Sequence, residues 1–200
     1  LVVTCGIFPL IKAEEGGSGH YLPGSMASSL DGVGPAGTFL IRYNMLNYTG
    51  DINLDRSIPM AGITGEGADA SSWAHGLTFF WAPKWGQLSE HWNYAMSATV
   101  PYVFMDVEAD VQTGSGATIR RSDKVDGIGD IVLMPLMLNQ KINRCWSINY
   151  RVGFYAPTGD YEVGRLANAG KNYWSIEPTV GFMYLNPTNG RELSIFTGAT

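Results

Sequence analysis

The stretch NYWSIEPTVGFMYL, residues 172–185, constrains the fold more than any other part of the sequence. Side chains two apart share one face of a β-strand. One face of this stretch is apolar and aromatic, while the other carries Ser175, Glu177 and Thr179. Trp174 and Tyr184 bound the apolar face about 33 Å apart, and a strand tilted by about 40° would project this to about 25 Å, the height of the apolar band of a transmembrane barrel. The pattern predicts a strand with lipid on one side and water on the other.

Six further segments are predicted to be strands, most of them with the same two-faced pattern, and no amphipathic helix is predicted. The segments are 38–48, 73–83, 94–105, 129–138, 147–156 and 191–200. An arginine facing lipid near the bilayer midplane costs about 2–4 kcal/mol, whereas a lumen position carries little penalty. The polar side chains opposite the aromatics are therefore predicted to line a lumen; they are Arg42, Asn44, Thr99, Asp130, Arg151, Glu177 and Thr179. The strand after Asp130 is apolar on both faces, and we expect Val132, Met134, Leu136 and Leu138 to point inward.

Aromatic residues cluster at the ends of these predicted strands. Indole and phenol rings favour the interface between membrane and water. We predict an interfacial belt made of Trp73, Trp81, Trp92, Trp146, Trp174 and Tyr184.

The predicted connections alternate in length: 49–72, 106–128 and 157–171 are long, while 84–93, 139–146 and 186–190 are short. Barrels in outer membranes have short periplasmic turns and longer external loops. The sequence therefore predicts an all-β, antiparallel, up-and-down transmembrane β-barrel. About seven strands are present, and bacterial barrels of one chain have an even number, so we expect an incomplete barrel.

Composition narrows the class of protein further. The chain is 45% hydrophobic and 16% charged, below the usual ~25% charged, and it contains no run of about 20 apolar residues that would form a membrane helix. Its net charge is −5 with no basic cluster larger than Arg120–Arg121, which argues against a nucleic-acid partner. Outer-membrane lipid is the expected partner of the apolar strand faces, and a lumen that is part apolar and part polar suits a small apolar or aromatic solute. The oligomeric state stays open.

The segment before the first strand divides into two parts. Residues 1–13 are typical of the remnant of a signal peptide, with a cut after Ala13, and an ordinary N-terminal strand is the alternative. Residues 14–37 are rich in Gly and Ser and form either a periplasmic lead-in or a plug in the barrel mouth, for which His20–Pro23 would be the docking element. Residues 38–200 hold the barrel strands, truncated at the C-terminus.

No catalytic residue, metal site or cofactor is predicted, so we do not expect an enzyme. GVGPAG (32–37) has the letters of a dinucleotide motif, but a strand rather than a helix follows it. His20, His75 and His91 have no ligand at useful spacing and are interpreted as interfacial or loop histidines. No G-x-S-x-G is present, and nothing in the pattern places a hydroxyl next to an imidazole.

Three stretches together resemble a known family: GHYLPGSMASSLDGV (19–33), GDIVLMPL (129–136) and residues 154–185 with APTGDY, RLAN and NYW-x-x-EP. They resemble proteins of the MetA pathway of phenol degradation, predicted barrels of Gram-negative outer membranes. The resemblance implies an exported barrel linked to aromatic catabolism and likened to channels for hydrophobic compounds. Family members are usually longer, which implies that this chain is a fragment.

The function expected from pattern and resemblance together is a passive, porin-like outer-membrane channel for small hydrophobic or aromatic compounds. Two alternatives remain open. One is a structural outer-membrane barrel that does not conduct, because side chains can fill a small barrel. The other is a soluble β-sandwich that binds a ligand.

Overall fold

The computed structural model describes residue 20 and residues 32–60, 63–112 and 117–199, with the side chains of 51–68 and 112 outside the description. The predicted signal remnant, and every residue of 14–31 except His20, lie outside this part of the chain. The strands are β1 (Thr38–Met60), β2 (Ile63–Ala82), β3 (Trp92–Gln112), β4 (Thr118–Ile128), β5 (Ile131–Lys141), β6 (Trp146–Ala156), β7 (Ser175–Leu185) and β8 (Glu192–Gly198). A 3-10 turn, Lys84–Gly86, lies between β2 and β3. Among the described residues no helix combines the length and apolarity that crossing a membrane requires.

All these strands belong to one antiparallel sheet that follows the path β1-β2-β3-β5-β6-β7-β8 and curls into a half-barrel. The strand β4 pairs with residues 102–112 of β3, while β5 pairs with residues 92–99 of the same strand. The two therefore act as one long strand, broken at Gly129–Asp130. Opposite the break lies Pro101, which has no N–H to donate and whose carbonyl accepts from Gly129 N at 2.9 Å. The predicted all-β fold, with seven strands of an incomplete barrel, is confirmed.

Two of the predicted long connections are wrong, since 49–72 and 106–128 are mostly strand. The hairpin β1–β2 continues to Met60 and Ile63, and β3 continues to Gln112 before β4 returns. Their Gly, Asp and Ser residues suggested loops, yet the alternation persists: Val107, Ala109 and Val111 are buried, with charged residues between them. The third long connection, between β6 and β7, is irregular as predicted.

The sheet has two chemically distinct faces, and the one whose side chains are buried is the concave face. The opposite, convex face carries a continuous apolar row across six strands. In cross-strand register this row is Ile41, Phe79, Ala98, Leu133, Phe154 and Ile176. Large apolar side chains of this face, such as Phe39, Trp81 and Phe104, are exposed. A single sheet thus presents its apolar side outward.

A bulge in β5 changes its phase, so the predicted inward row is only half right. The register with β6 shifts between Leu133 and Leu136, around Pro135. A proline cannot donate to the ladder and is tolerated at bulges. Leu136 and Leu138 therefore pair with Val152 and Tyr150 on the convex face, and Met137 and Asn139 turn inward and are buried.

Candidate functional site on the concave face

The predicted lumen residues lie on the concave face in two groups. On β1–β3, Arg42 stands opposite Thr78, whose hydroxyl lies 2.8 Å from that of Thr99. Asn44 lies two residues after Arg42 on the same face of β1, opposite Gly76. The second group, Arg151, Glu177 and Thr179, is on β6 and β7, with Asp130 at the β4–β5 break. Alternation placed all seven side chains on this face, although it did not indicate which would meet.

The second group forms a buried polar network. The Arg151 and Glu177 side chains belong to residues only 4% exposed. Glu177 accepts from the hydroxyl of Tyr155 at 2.6 Å and from that of Thr179 at 3.2 Å. Arg151 donates through Nε to the Asn149 side-chain oxygen. Buried charges are tolerated only when hydrogen bonds replace their hydration, as here.

An aromatic ring covers one side of this network. The Arg151 guanidinium lies 5.1 Å from the centroid of the Phe196 ring, a cation–π distance. The ring reaches this position because Gly181 leaves room: a Cβ there would lie 2.4 Å from the Phe196 ring. The polar network is thus closed off by β8.

His20 forms the second cluster of the concave face, at the ends of β6 and β7. Its Nε2 lies 2.9 Å from Oδ2 of Asp130, and its Nδ1 lies 2.8 Å from Oγ of Ser175. The imidazole stacks on Tyr155, with centroids 4.8 Å apart and planes 23° apart, and meets Tyr173 edge-on at 4.7 Å. Its side chain is only 4% exposed.

Asp130 is held in place by the loop between β6 and β7. Its carboxylate accepts from the backbone amides of Gly159 at 2.9 Å and Lys171 at 2.7 Å. The loop can fold this closely because Gly159 and Gly170 touch through their backbones, and a Cβ on Gly159 would lie 2.6 Å from the Gly170 Cα. Ser175, His20 and Asp130 are the residue types of a hydrolytic triad, but the two nearby amides are directed at the carboxylate rather than at Ser175.

His20 lies outside the strands, as the interpretation of a loop histidine has it, but the expectation that no hydroxyl lies next to an imidazole is wrong. The contacts join residues 110 and 155 positions apart in the sequence. Motif spacing cannot reveal contacts between residues so far apart in the sequence. One signal of this cluster is present in the sequence, the polar Asp130 directly before an apolar strand. His91 lies in a turn, and His75 meets the Tyr43 hydroxyl on the convex face.

The predicted belt residues stand near the two ends of the apolar face. Trp81, Trp92, Trp146 and Tyr184 lie toward the short turns; Trp146 packs on Tyr184 at 5.0 Å and Trp92 stacks on Tyr150 at 5.9 Å. Trp73 and Trp174 lie toward the opposite end, and both are exposed.

Above Trp73 the outward side chains become charged. Arg120 on β4 bonds Asp69 at 2.6 Å and Glu108 at 3.0 Å, and these two hydrogen bonds raise the pKa of its guanidinium. The convex face thus changes from apolar to ionic beyond the aromatic rim, which is formed at this end of the sheet by the belt residues Trp73 and Trp174.

A family model matches most of the chain. Residues 50–200 match the family model described as "Putative MetA-pathway of phenol degradation". No curated protein and no solved structure matches the chain. The matched range includes the buried network of Arg151 and Glu177 and the cluster around His20, but His20 itself precedes it, as do Arg42 and Asn44.

Proposed function

Because the chain belongs to the MetA-pathway phenol-degradation family, we propose that it is an outer-membrane β-barrel that lets small aromatic or apolar compounds cross passively. Family membership is compatible with a link to aromatic catabolism, and this supports the proposal. The passage step, the outer-membrane location and the solute are the proposal. It assigns no catalytic step to this chain.

The observation that carries the proposal is the opposite chemistry of the two faces of one sheet. The convex row from Ile41 to Ile176 is apolar and flanked by indoles, which suits hydrocarbon between two interfaces. The concave face holds Arg151 and Glu177, whose charges suit a lumen and would be costly in lipid. Outer-membrane lipid is therefore the partner that this surface fits.

The concave face also favours an aromatic solute over a sugar or an ion. Its polar groups alternate with apolar patches, including a cluster of Phe80, Ala95 and Met137 against which Val33 packs. Sites for small molecules are mostly apolar, with a few placed polar groups. A phenolic compound offers a flat apolar ring and one hydroxyl, which matches this mixture.

A flux measurement tests the proposal. The full-length native protein in liposomes should release or admit phenol and toluate faster than protein-free vesicles of the same lipid. Equal flux would remove the transport proposal. Heated and unheated samples on a gel give the matched check of the barrel, because a folded barrel should migrate as a compact species until it is boiled.

A second function, a structural barrel that does not conduct, is favoured by the filled space beside β6–β8. Asn149, Arg151, Phe196 and Ser194 are all buried there, so side chains occupy that part of the interior. Single-channel recording on the intact protein distinguishes the two functions. Discrete current steps would support a pore, and their absence together with zero phenol flux would support the filled barrel.

A further inference from the structure

Four residues surround the flat ring of His20, on one of its faces, at an edge-on aromatic contact and at its two ring nitrogens. Tyr155 covers one face of the imidazole at 4.8 Å, and Tyr173 meets it edge-on at 4.7 Å. Asp130 and Ser175 bind the polar atoms on its rim at 2.9 and 2.8 Å. We call Asp130, Tyr155, Tyr173 and Ser175 the cradle.

Two of the four cradle residues, Asp130 and Tyr155, are positioned without help from His20. The Asp130 carboxylate is fixed by the amides of Gly159 and Lys171, and the Tyr155 hydroxyl is fixed by Glu177 at 2.6 Å. Groups held by their own partners keep their geometry when one ligand leaves, which is the condition for a preorganised site. The cradle therefore has the properties of a binding site that the chain itself fills.

We propose that the cradle is a binding site for a hydroxylated aromatic ring and that His20 occupies it as an internal substitute. This inference rests on the proposed function for the class of solute. A phenol ring would stack on Tyr155 in place of the imidazole, since aromatic pairs favour stacked and edge-on contacts. Its hydroxyl would donate to the Asp130 carboxylate, a charge-assisted bond that is stronger than a neutral one. The Ser175 hydroxyl would meet a second polar substituent.

Competition with His20 has a measurable consequence. A ligand that needs an empty site has an apparent affinity proportional to the fraction of sites that are empty, so a site that is mostly filled binds it weakly. His20 therefore weakens phenol binding in the native protein, and removing its ring should strengthen it. Imidazole in solution should then enter the vacated cradle as well.

The test uses the full-length protein in detergent, with phenol as the probe and calorimetry as the readout. We expect His20→Ala to tighten phenol binding at least threefold and to make that binding sensitive to added imidazole. Adding Asp130→Asn to His20→Ala should weaken phenol about tenfold or more, because a hydrogen bond to a charged group is lost. His91→Ala, in an exposed turn, is the matched control and should leave the affinity unchanged. Equal phenol affinity in wild type and His20→Ala would overturn the proposal.

A measurement on the unmutated protein covers the case in which His20→Ala does not fold. With labelled histidine, the ring signals of His20 should shift as phenol is added, while those of His91 stay constant. Unmoved His20 signals at saturating phenol would overturn the cradle. Because binding is read without a membrane, phenol flux without His20-dependent binding removes only this site, and binding without flux removes only the transport proposal.

Discussion

At the scale of a residue, Arg151 and Glu177 show how much of a side chain's placement the sequence can predict. Each stands at mid-strand opposite a row of aromatics, so period-2 alternation alone predicts the face on which it lies. Their partners were not predictable, because Tyr155 and Phe196 contribute contacts that depend on register and on the order of strands. His20 is the extreme case, since both of its hydrogen-bond partners come from beyond the first half of the chain.

The close fit of Phe196 against Gly181 yields a prediction at the same scale. Gly181→Ala would place a Cβ 2.4 Å from the ring, which must then leave its place over Arg151. Overpacking of this kind typically costs about 1–3 kcal/mol of stability. Urea unfolding of the protein in lipid vesicles measures the loss. Gly153→Ala is the control on the same concave face, since its nearest atom would lie at an ordinary 3.7 Å; an equal loss in both variants would contradict the argument.

At the scale of elements, the strands of the barrel wall were predictable and their extensions were not. Within the aromatic rims, apolar and polar side chains alternate strongly, and the seven-strand path follows from that pattern. Beyond the rims the outward positions are charged, as at Asp106 and Glu108, and the contrast between faces reverses. For this reason the sequence of these strand extensions suggests loops. The prediction of which β5 side chains point inward was wrong for another local reason, the bulge at Pro135.

The loop between β6 and β7 gives a prediction for an element. Its fold over Asp130 depends on backbone contact between Gly159 and Gly170, so Gly159→Ala would force a Cβ to within 2.6 Å of the Gly170 Cα. Backbone atoms cannot rotate away, and the loop should open. We expect trypsin to cut at Arg165 and Lys171 at least severalfold faster than in the native protein.

Val163→Ala serves as the control for this loop, because Val163 is 73% exposed and its truncation should leave the cleavage rate unchanged. If Gly159→Ala were cut no faster than this control, the glycine contact would not be what keeps the loop closed.

At the scale of the whole molecule, the proposed function requires that adjacent side chains of one strand face different solvents. Tyr43 is on the convex face and 62% exposed, while its neighbour Asn44 is on the concave face. If lipid covers the convex face, Tyr43→Arg should lower stability in the membrane by about 2–4 kcal/mol, the cost of an arginine near the midplane, whereas Asn44→Arg should cost far less.

The two variants add the same charge to neighbouring positions of β1, so their difference isolates the solvent that each face meets. The measurement is the fraction of compact, unheated species on a gel after refolding into liposomes across a urea series. In water a surface arginine is nearly neutral for stability, so a soluble protein would tolerate Tyr43→Arg at least as well as the inward variant. That reversed order would place the convex face in water, and the outer-membrane location would fall with it, even though the half-barrel and the family would stand.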